Sequence, residues 1–166
     1  MTDQHGIAVV RWTGQDLSPD GGLSGLLAAY HLRTQDEKGE GVERVEELPE
    51  RYREEVRDPL GAFGRDEVLV AVSEGATVGC VVVTGSVAGR CEVKRLWTQP
   101  DRRGRGVASA LIGAALARAG ENGVRTVGLS VWRWRTGAIA LYERLGFTVV
   151  ESWDDRERLV CMERAL

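Results

Sequence analysis

The chain has 166 residues, of which 43% are hydrophobic and 28% charged, a composition typical of one globular domain with a full core. A formal net charge of -3 argues against binding nucleic acid through bulk positive charge, so we expect no nucleic-acid partner. The sequence offers neither the ~18 apolar residues of a membrane span nor the pattern of a secretion signal. We therefore expect a cytoplasmic protein without membrane contact.

The three cysteines predict buried thiols. Cys80, Cys91 and Cys161 are widely spaced, lie in apolar or strand-like segments, and form no Cys-x-x-Cys pair. Such spacing does not suit a disulfide framework or a metal centre, so we expect a reducing compartment and no bound metal.

The first part of the chain predicts a strand over Ile7–Trp12, a loop over 16–22 and a helix over 22–35. Leucines and aromatic residues recur in the helix at a spacing that gives it one buried face. His31 lies on that face. It is either a general base or substrate contact, or a half-buried helix residue that is hydrogen-bonded for structural reasons.

The segment 36–67 is acidic, with twelve acidic and six basic residues. A helical stripe crosses its middle, and a charge run of this kind is usually a solvated helix face. Beyond it, the apolar runs 68–72 and 76–84 predict a hairpin around Glu74 and Gly75.

A third strand is predicted over 90–98 and ends before Pro100. Simple alternation places two sets of its side chains on opposite faces. One set is Cys91, Val93, Arg95 and Trp97, and the other is Glu92, Lys94, Leu96 and Thr98.

The second half predicts a helix from Val107, a strand over 126–132, a helix over 137–145 and two last strands over 147–152 and 158–163. Thr136 is placed to cap the second helix, and Gly146 is placed to end it in the left-handed conformation. This order of elements is that of a mixed α/β sheet.

A glycine-rich turn, Arg103-Gly104-Arg105-Gly106, joins the third strand to the helix from Val107. The turn is either a tight connection or a phosphate cradle, in which amides at a helix N-terminus and arginine side chains hold an anion. No Gly-x-x-x-x-Gly-Lys motif supports a triphosphate site, and Ser109 stands where a dinucleotide fingerprint needs Gly or Ala.

Three stretches resemble, in order and spacing, the motifs of the GNAT superfamily of acetyl-coenzyme A-dependent N-acetyltransferases. They are 92–100, 103–108 and 138–147. The resemblance implies an α/β (α+β) fold with a mixed, mostly antiparallel sheet of about seven strands flanked by about four helices, formed by one domain over residues 1–166. It also implies acetyl-coenzyme A as cosubstrate and a splayed strand pair that exposes backbone groups to it.

The resemblance implies the following site residues. The cosubstrate would be bound by Leu96, Trp97, Thr98, Arg103, Gly104, Arg105, Gly106, Val107 and Ala108. Tyr142 would be the general acid, alternatively a residue that only packs with Ile139 and Leu145 on its helix. Glu92 would be the general base, alternatively an ion-pair partner of Lys94. Arg135 stands where many members carry Asn, and it would either reach a phosphate or solvate the loop.

Two further features concern the acceptor. In folds of this family the segment between the first two strands helps to shape the acceptor site, so its acidity is compatible with a cationic amine. Trp132 and Trp134 would either hold a cation on their rings or pack in the core.

The function predicted from these residues is acetyl transfer from acetyl-coenzyme A directly to a primary amine of a small molecule. The alternatives are acetylation of a protein N-terminus or lysine, and a non-catalytic coenzyme A-binding module. A homodimer is a further possibility, because small domains of this size often pair through exposed strands.

Overall fold

The computed structural model describes residues 6–14 and 22–166, so most of the loop predicted over 16–22 lies outside the described residues. The seven strands are Ile7–Arg11 (β1), Glu67–Ser73 (β2), Ala76–Val83 (β3), Arg90–Thr98 (β4), Thr126–Trp132 (β5), Thr148–Val150 (β6) and Leu159–Ala165 (β7). They form one sheet in the order β1-β2-β3-β4-β5-β7-β6, and every neighbouring pair is antiparallel except β4 with β5. The mixed, mostly antiparallel sheet is confirmed.

The helices of the described ranges are Gly22–Glu37 (α1), Glu50–Arg57 (α2), Pro59–Ala62 (α3), Val107–Glu121 (α4) and Thr136–Arg144 (α5). About four helices were predicted, and the additional helix is α3, a single turn that begins at Pro59. The Asp58 side chain caps this turn by accepting a hydrogen bond from the Gly61 N–H. Gly146 ends α5 with φ +92°, as predicted. The predicted capping role of Thr136 is wrong, because Arg135 occupies the N-cap position and no side chain caps the helix.

Two hydrophobic cores lie on opposite faces of the sheet. Leu111, Ile112 and Ala115 of α4 are fully buried against the strands on one face, and Tyr142 of α5 belongs to the same core. Leu23, Leu26 and Leu27 of α1 pack on the other face with side chains of β2, β3 and β4. The central strands are therefore covered on both faces, and β4 runs between the two helical layers.

A β-bulge interrupts β4 at Arg95, whose φ is +59°. Pairing with β3 passes from Val82 opposite Lys94 to Cys80 opposite Trp97, so the strand gains one residue relative to its partner. The alternation predicted for this strand is consequently wrong beyond Lys94. Cys91 and Val93 lie in the core under α4, and Leu96 also packs against that core. Trp97, in contrast, packs in the core under α1.

The parallel pairing of β4 with β5 is short. It covers only 90–92 against 126–128, after which the two strands separate while β5 stays paired with β7 on its other side. Main-chain groups of β4 beyond Glu92 that face β5 therefore have no strand partner, which opens a site for a ligand between the strands.

The three cysteines are buried free thiols, as predicted. Burial raises the pKa of Cys80 to about 12, so this thiol stays protonated. Within 6–14 and 22–166, no helix has the length and apolar composition needed to cross a bilayer. In the same ranges no three His, Cys, Asp or Glu side chains group together as a metal centre would require.

Close contact between β3 and α4 at Gly79 predicts a stability effect. A Cβ atom there would lie 2.8 Å from Val107 Cγ1 and 2.9 Å from the Trp97 carbonyl oxygen, so Gly79→Ala forces the helix away from the sheet. We expect the free energy of unfolding to fall by about 1–3 kcal/mol in a urea titration. Gly113→Ala is the matched control, because a Cβ atom at this exposed position of α4 would have no atom within 4 Å. This change should raise the free energy of unfolding by about 0.5–1 kcal/mol. Equal effects of the two changes would contradict this packing.

Candidate active site

The separation of β4 and β5 opens a cavity of about 650 Å³. Its walls come mainly from β4 between Val93 and Thr98, the end of β5, the turn before α4, and helices α1 and α5, with Tyr52 of α2 beside them. Most of the predicted site residues line this one cavity. They are Leu96, Trp97, Thr98, Arg103, Gly104, Gly106, Val107, Ala108, Arg135 and Tyr142. Glu92 and Arg105 do not line it.

The glycine-rich turn forms one end of the cavity with its backbone. Gly104 and Gly106 have φ of +78° and +84°, and Gly106 is the N-cap of α4. The backbone N–H groups from Gly104 to Ser109 donate no hydrogen bond within the described part of the chain. Unpaired amides at the positive end of a 15-residue helix are a binding site for an anion such as a phosphate.

Arginine side chains surround the same turn. Arg103 Nε donates to the Thr98 carbonyl oxygen over 3.2 Å, and its guanidinium lies 4.7 Å from the centre of the Trp97 ring. Arg102 and Arg144 also line the cavity. The indole N–H of Trp97 is buried and has no acceptor among the described residues.

Tyr142 lies on α5 and lines the cavity. Its ring packs edge-on against Phe147, with 5.8 Å between ring centres. Burial raises the pKa of its phenol above the usual value of 10, with a further rise from Tyr30 that Arg135 opposes. The hydroxyl makes no hydrogen bond with any described residue, so a protonated phenol is available to a ligand.

Glu92 lies before the point at which β4 and β5 separate. Its backbone N–H donates to Thr84 Oγ1, and its carboxylate forms no ion pair within 6–14 and 22–166. The ion pair considered for Lys94 is therefore not formed; the Lys94 ammonium lies 5.7 Å from the centre of the Phe63 ring. The position of Glu92 supports neither alternative, and its role as a base stays a prediction that would need a water relay.

Arg135 joins the loop after β5 to helix α1. It donates to Glu37 Oε2 from Nε and Nη2, over 3.1 and 2.9 Å, and to Thr34 Oγ1 over 2.7 Å. Burial would raise the pKa of Glu37, but the hydrogen bonds from Arg135 and Trp134 outweigh it and lower this pKa. The guanidinium thus links this loop to α1, a contact that the sequence did not reveal.

Trp132 and Trp134 stack on each other, with ring centres 4.9 Å apart. Cations of the protein already lie over these rings. Lys38 and Arg156 lie over Trp132 at 5.6 and 5.5 Å, and Arg158 lies over Trp134 at 5.5 Å. This arrangement favours a packing role over capture of a substrate cation.

A buried polar cluster lines the α1 side of the cavity. His31 Nε2 lies 2.8 Å from Glu55 Oε1, and Arg95 donates to both oxygens of Glu55 over 2.8 and 2.9 Å. Burial would raise the pKa of Glu55, but hydrogen bonds from Arg95 and His31 lower it to about 2. Burial also lowers the pKa of His31, although its bond to Glu55 opposes this shift.

Sequence reasoning identified His31 but missed Glu55 and Arg95 as its partners. Glu55 is one of the twelve acids of the segment 36–67, and no spacing within that run distinguishes it from the exposed ones. The signal that could have pointed to Arg95 is a charged residue at a position that alternation places inside. The acidity of the segment does not make the cavity acidic, because Glu37 and Glu55 are both paired with arginine.

Comparisons with known proteins identify the family and the fold. Residues 28–147 match the model of the acetyltransferase (GNAT) family. A mycothiol acetyltransferase of Propionibacterium freudenreichii is 31% identical over 134 residues, which cover 80% of this chain and 42% of that protein. The Escherichia coli N-acetyltransferase YjgM, which is uncharacterized, is 36% identical over 81 residues, covering 47% of this chain and 48% of the relative. The chain thus spans less than half the length of these relatives.

Solved structures share the fold. The PaiA N-acetyltransferase of Thermoplasma acidophilum in complex with coenzyme A superposes with a TM-score of 0.71 at 18% identity, covering 96% of this chain and 99% of that one. A nourseothricin acetyltransferase gives a TM-score of 0.55 at 30% identity, over 61% of this chain and 65% of the other. The match of residues 28–147 to the family model, which covers well over half of the chain, shows that this chain belongs to the GNAT acetyltransferase family.

Proposed function

We propose that this protein is an N-acetyltransferase that moves an acetyl group from acetyl-coenzyme A directly to a primary amine of a small molecule. The observation that supports this proposal most strongly is one cavity lined by three features. They are the unpaired amides from Gly104 to Ser109, the free edge of β4 and the side chain of Tyr142. Its volume lies in the range of small-molecule sites. A homodimer and a cytoplasmic location stay predictions.

The cosubstrate fits the residues present. The amides of the turn and the side chains of Arg102, Arg103 and Arg144 supply the donors and positive charge that a diphosphate needs. The unpaired edge of β4 at 96–98 can bind an extended amide chain as a neighbouring strand would. When bound there, the thioester supplies an activated acetyl carbon.

Groups of this chain would then assist two steps of the reaction, the attack of the amine and the departure of the thiolate. Attack by the amine places negative charge on the thioester oxygen, and a fixed N–H near Leu96, at the bulge, would stabilise it. As the bond between carbon and sulfur breaks, Tyr142 would donate its proton to the sulfur, and the proton that the attacking nitrogen loses on becoming an amide would restore the phenol. Burial raises the pKa of this phenol, so Tyr142 is protonated at neutral pH and holds the proton that the transfer needs.

A screen of acceptors tests the function itself. Thiol release from acetyl-coenzyme A should be measured with spermidine, an aminoglycoside, an amino acid and a lysine-containing peptide. Turnover with a small amine supports the proposal, and turnover with the peptide alone selects a protein acetyltransferase. Binding without any turnover would select the non-catalytic module.

Gly106→Ala tests the cradle for the diphosphate. Alanine is strained at φ +84°, so the turn should relax and move its amides, weakening coenzyme A binding about tenfold in calorimetry, in line with about 1–2 kcal/mol of left-handed strain. The matched control is Gly123→Ala, which introduces the same type of strain at φ +76° after α4, outside the cavity. Equal affinities of the two variants would contradict the cradle.

Tyr142→Phe tests the general acid. Removing the hydroxyl should lower kcat by roughly 100-fold or more while changing the Kd for acetyl-coenzyme A by less than about twofold. Glu143→Gln, an exposed change on the same helix, controls for effects on α5 and should leave kcat as it is. An unchanged kcat in Tyr142→Phe would remove the phenol from the mechanism.

A further inference from the structure

His31 is a buried histidine whose environment differs from that of a packing residue. Only 2% of its surface is exposed, yet its ring lines the cavity. The ring is stacked on Tyr52 of α2, with ring centres 4.3 Å apart and planes at 19°. Its orientation is thus fixed from two sides, by Tyr52 across the ring face and by Glu55 at Nε2.

The partner at Nε2 determines the tautomer. Glu55 is ionised at neutral pH because its pKa is about 2, and a carboxylate can only accept hydrogen bonds. The proton between the two side chains therefore belongs to His31 Nε2. In the neutral ring, Nδ1 is then left with its lone pair.

The lone pair on Nδ1 has no hydrogen-bond donor among the described residues. Nδ1 forms no hydrogen bond with the described residues, and it is not one of their fully buried unpaired nitrogens. Since the ring borders the cavity, the small exposed part of His31 opens on the space that an acceptor would enter. A carboxylate that fixes a histidine tautomer and leaves the other nitrogen facing a substrate is an arrangement suited to a base.

The charges around His31 keep it neutral. The titratable and charged groups next to it are Glu55, Tyr52 and Arg51 of α2, Tyr30 of α1, and Arg95 of β4. Burial lowers the pKa of His31, and the two arginines act in the same direction against Glu55. The ring is therefore deprotonated at neutral pH and available to accept a proton.

We propose that His31 Nδ1 is the general base that deprotonates the acceptor amine, with Glu55 and Arg95 as residues that position it. The proposal rests on the proposed acetyl transfer. Nδ1 takes one proton from the ammonium of the acceptor and leaves a neutral amine with a free lone pair. The imidazolium later releases that proton to water, which restores the neutral ring.

The position of Tyr142 fits this assignment. Tyr30, the residue before His31, is close enough to Tyr142 to influence the pKa of its phenol. The base on α1 and the acid on α5 line the same cavity. Glu92, in contrast, is outside the cavity and would need a water to carry the proton.

The pH dependence of kcat/KM for His31→Gln tests the proposal, with the probe amine that turns over fastest. Wild-type enzyme uses the ammonium form, so its kcat/KM should be level between the His31 pKa, below 6.5, and the pKa of the amine. The variant needs the free amine, so its kcat/KM should rise about tenfold per pH unit across that interval. At pH 7 we expect kcat/KM of the variant to be roughly 100-fold or more below that of wild type. This difference should shrink as the pH approaches the pKa of the amine.

A profile of the variant that runs parallel to wild type at every pH would show a structural role and overturn the proposal. So would the steep profile appearing in Glu92→Gln and not in His31→Gln. If the enzyme acetylates amines and shows either of these results, only the assignment of His31 as the base is refuted. Absence of turnover with every probe refutes the proposed function and the base together.

A second measurement uses wild-type protein and does not depend on the variant folding. Nitrogen NMR shifts of the ring should show the Nε2–H tautomer at pH 7 and titration below 6.5, with His5→Gln assigning the two histidines. A ring that is protonated on Nδ1, or charged at pH 7, would overturn the assignment.

Discussion

The separation of β4 from β5 is the constraint on which the site depends. The two strands pair only over 90–92 and 126–128, and β4 carries a bulge at Arg95 in the part that lies beyond this pairing. Without this break, the main-chain groups of β4 would be used within the sheet, and the cavity between the strands would close. The glycine-rich turn, α1 and α5 then add walls to a space that the sheet has already opened.

The bulge at Arg95 has an energetic cost, which the contacts of Arg95 with Glu55, Tyr30 and Tyr52 offset. It directs a charged side chain, Arg95, into the region under α1, where an unpaired guanidinium would be costly. Glu55 binds it through two oxygens, and Tyr30 and Tyr52 lie 5.7 and 5.8 Å from it on their ring faces. One strained backbone position thus fixes the carboxylate that in turn orients His31, which links the sheet geometry to the acceptor side of the site.

The elements that were predictable from the sequence are those with local signals. The limits of β4 and β5, the turn at Glu74 and Gly75, and the end of α5 at Gly146 follow from periodicity and turn chemistry, and all are present. The bulge was not predictable, because an arginine in the left-handed region carries no local signature and is maintained by tertiary contacts. The pairings of Arg95 with Glu55 and of Arg135 with Glu37 join residues 40 and 98 positions apart, so only the fold reveals them.

The central claim is that the turn at 103–108 binds the diphosphate of acetyl-coenzyme A and leaves the acyl carbon beside Tyr142. A crystal structure of the protein with coenzyme A tests it most directly. The account predicts diphosphate oxygens within hydrogen-bonding distance of the amides from Gly104 to Ala108, the pantetheine arm along β4, and sulfur next to the Tyr142 hydroxyl. A diphosphate bound elsewhere, or a phenol remote from the sulfur, would contradict it.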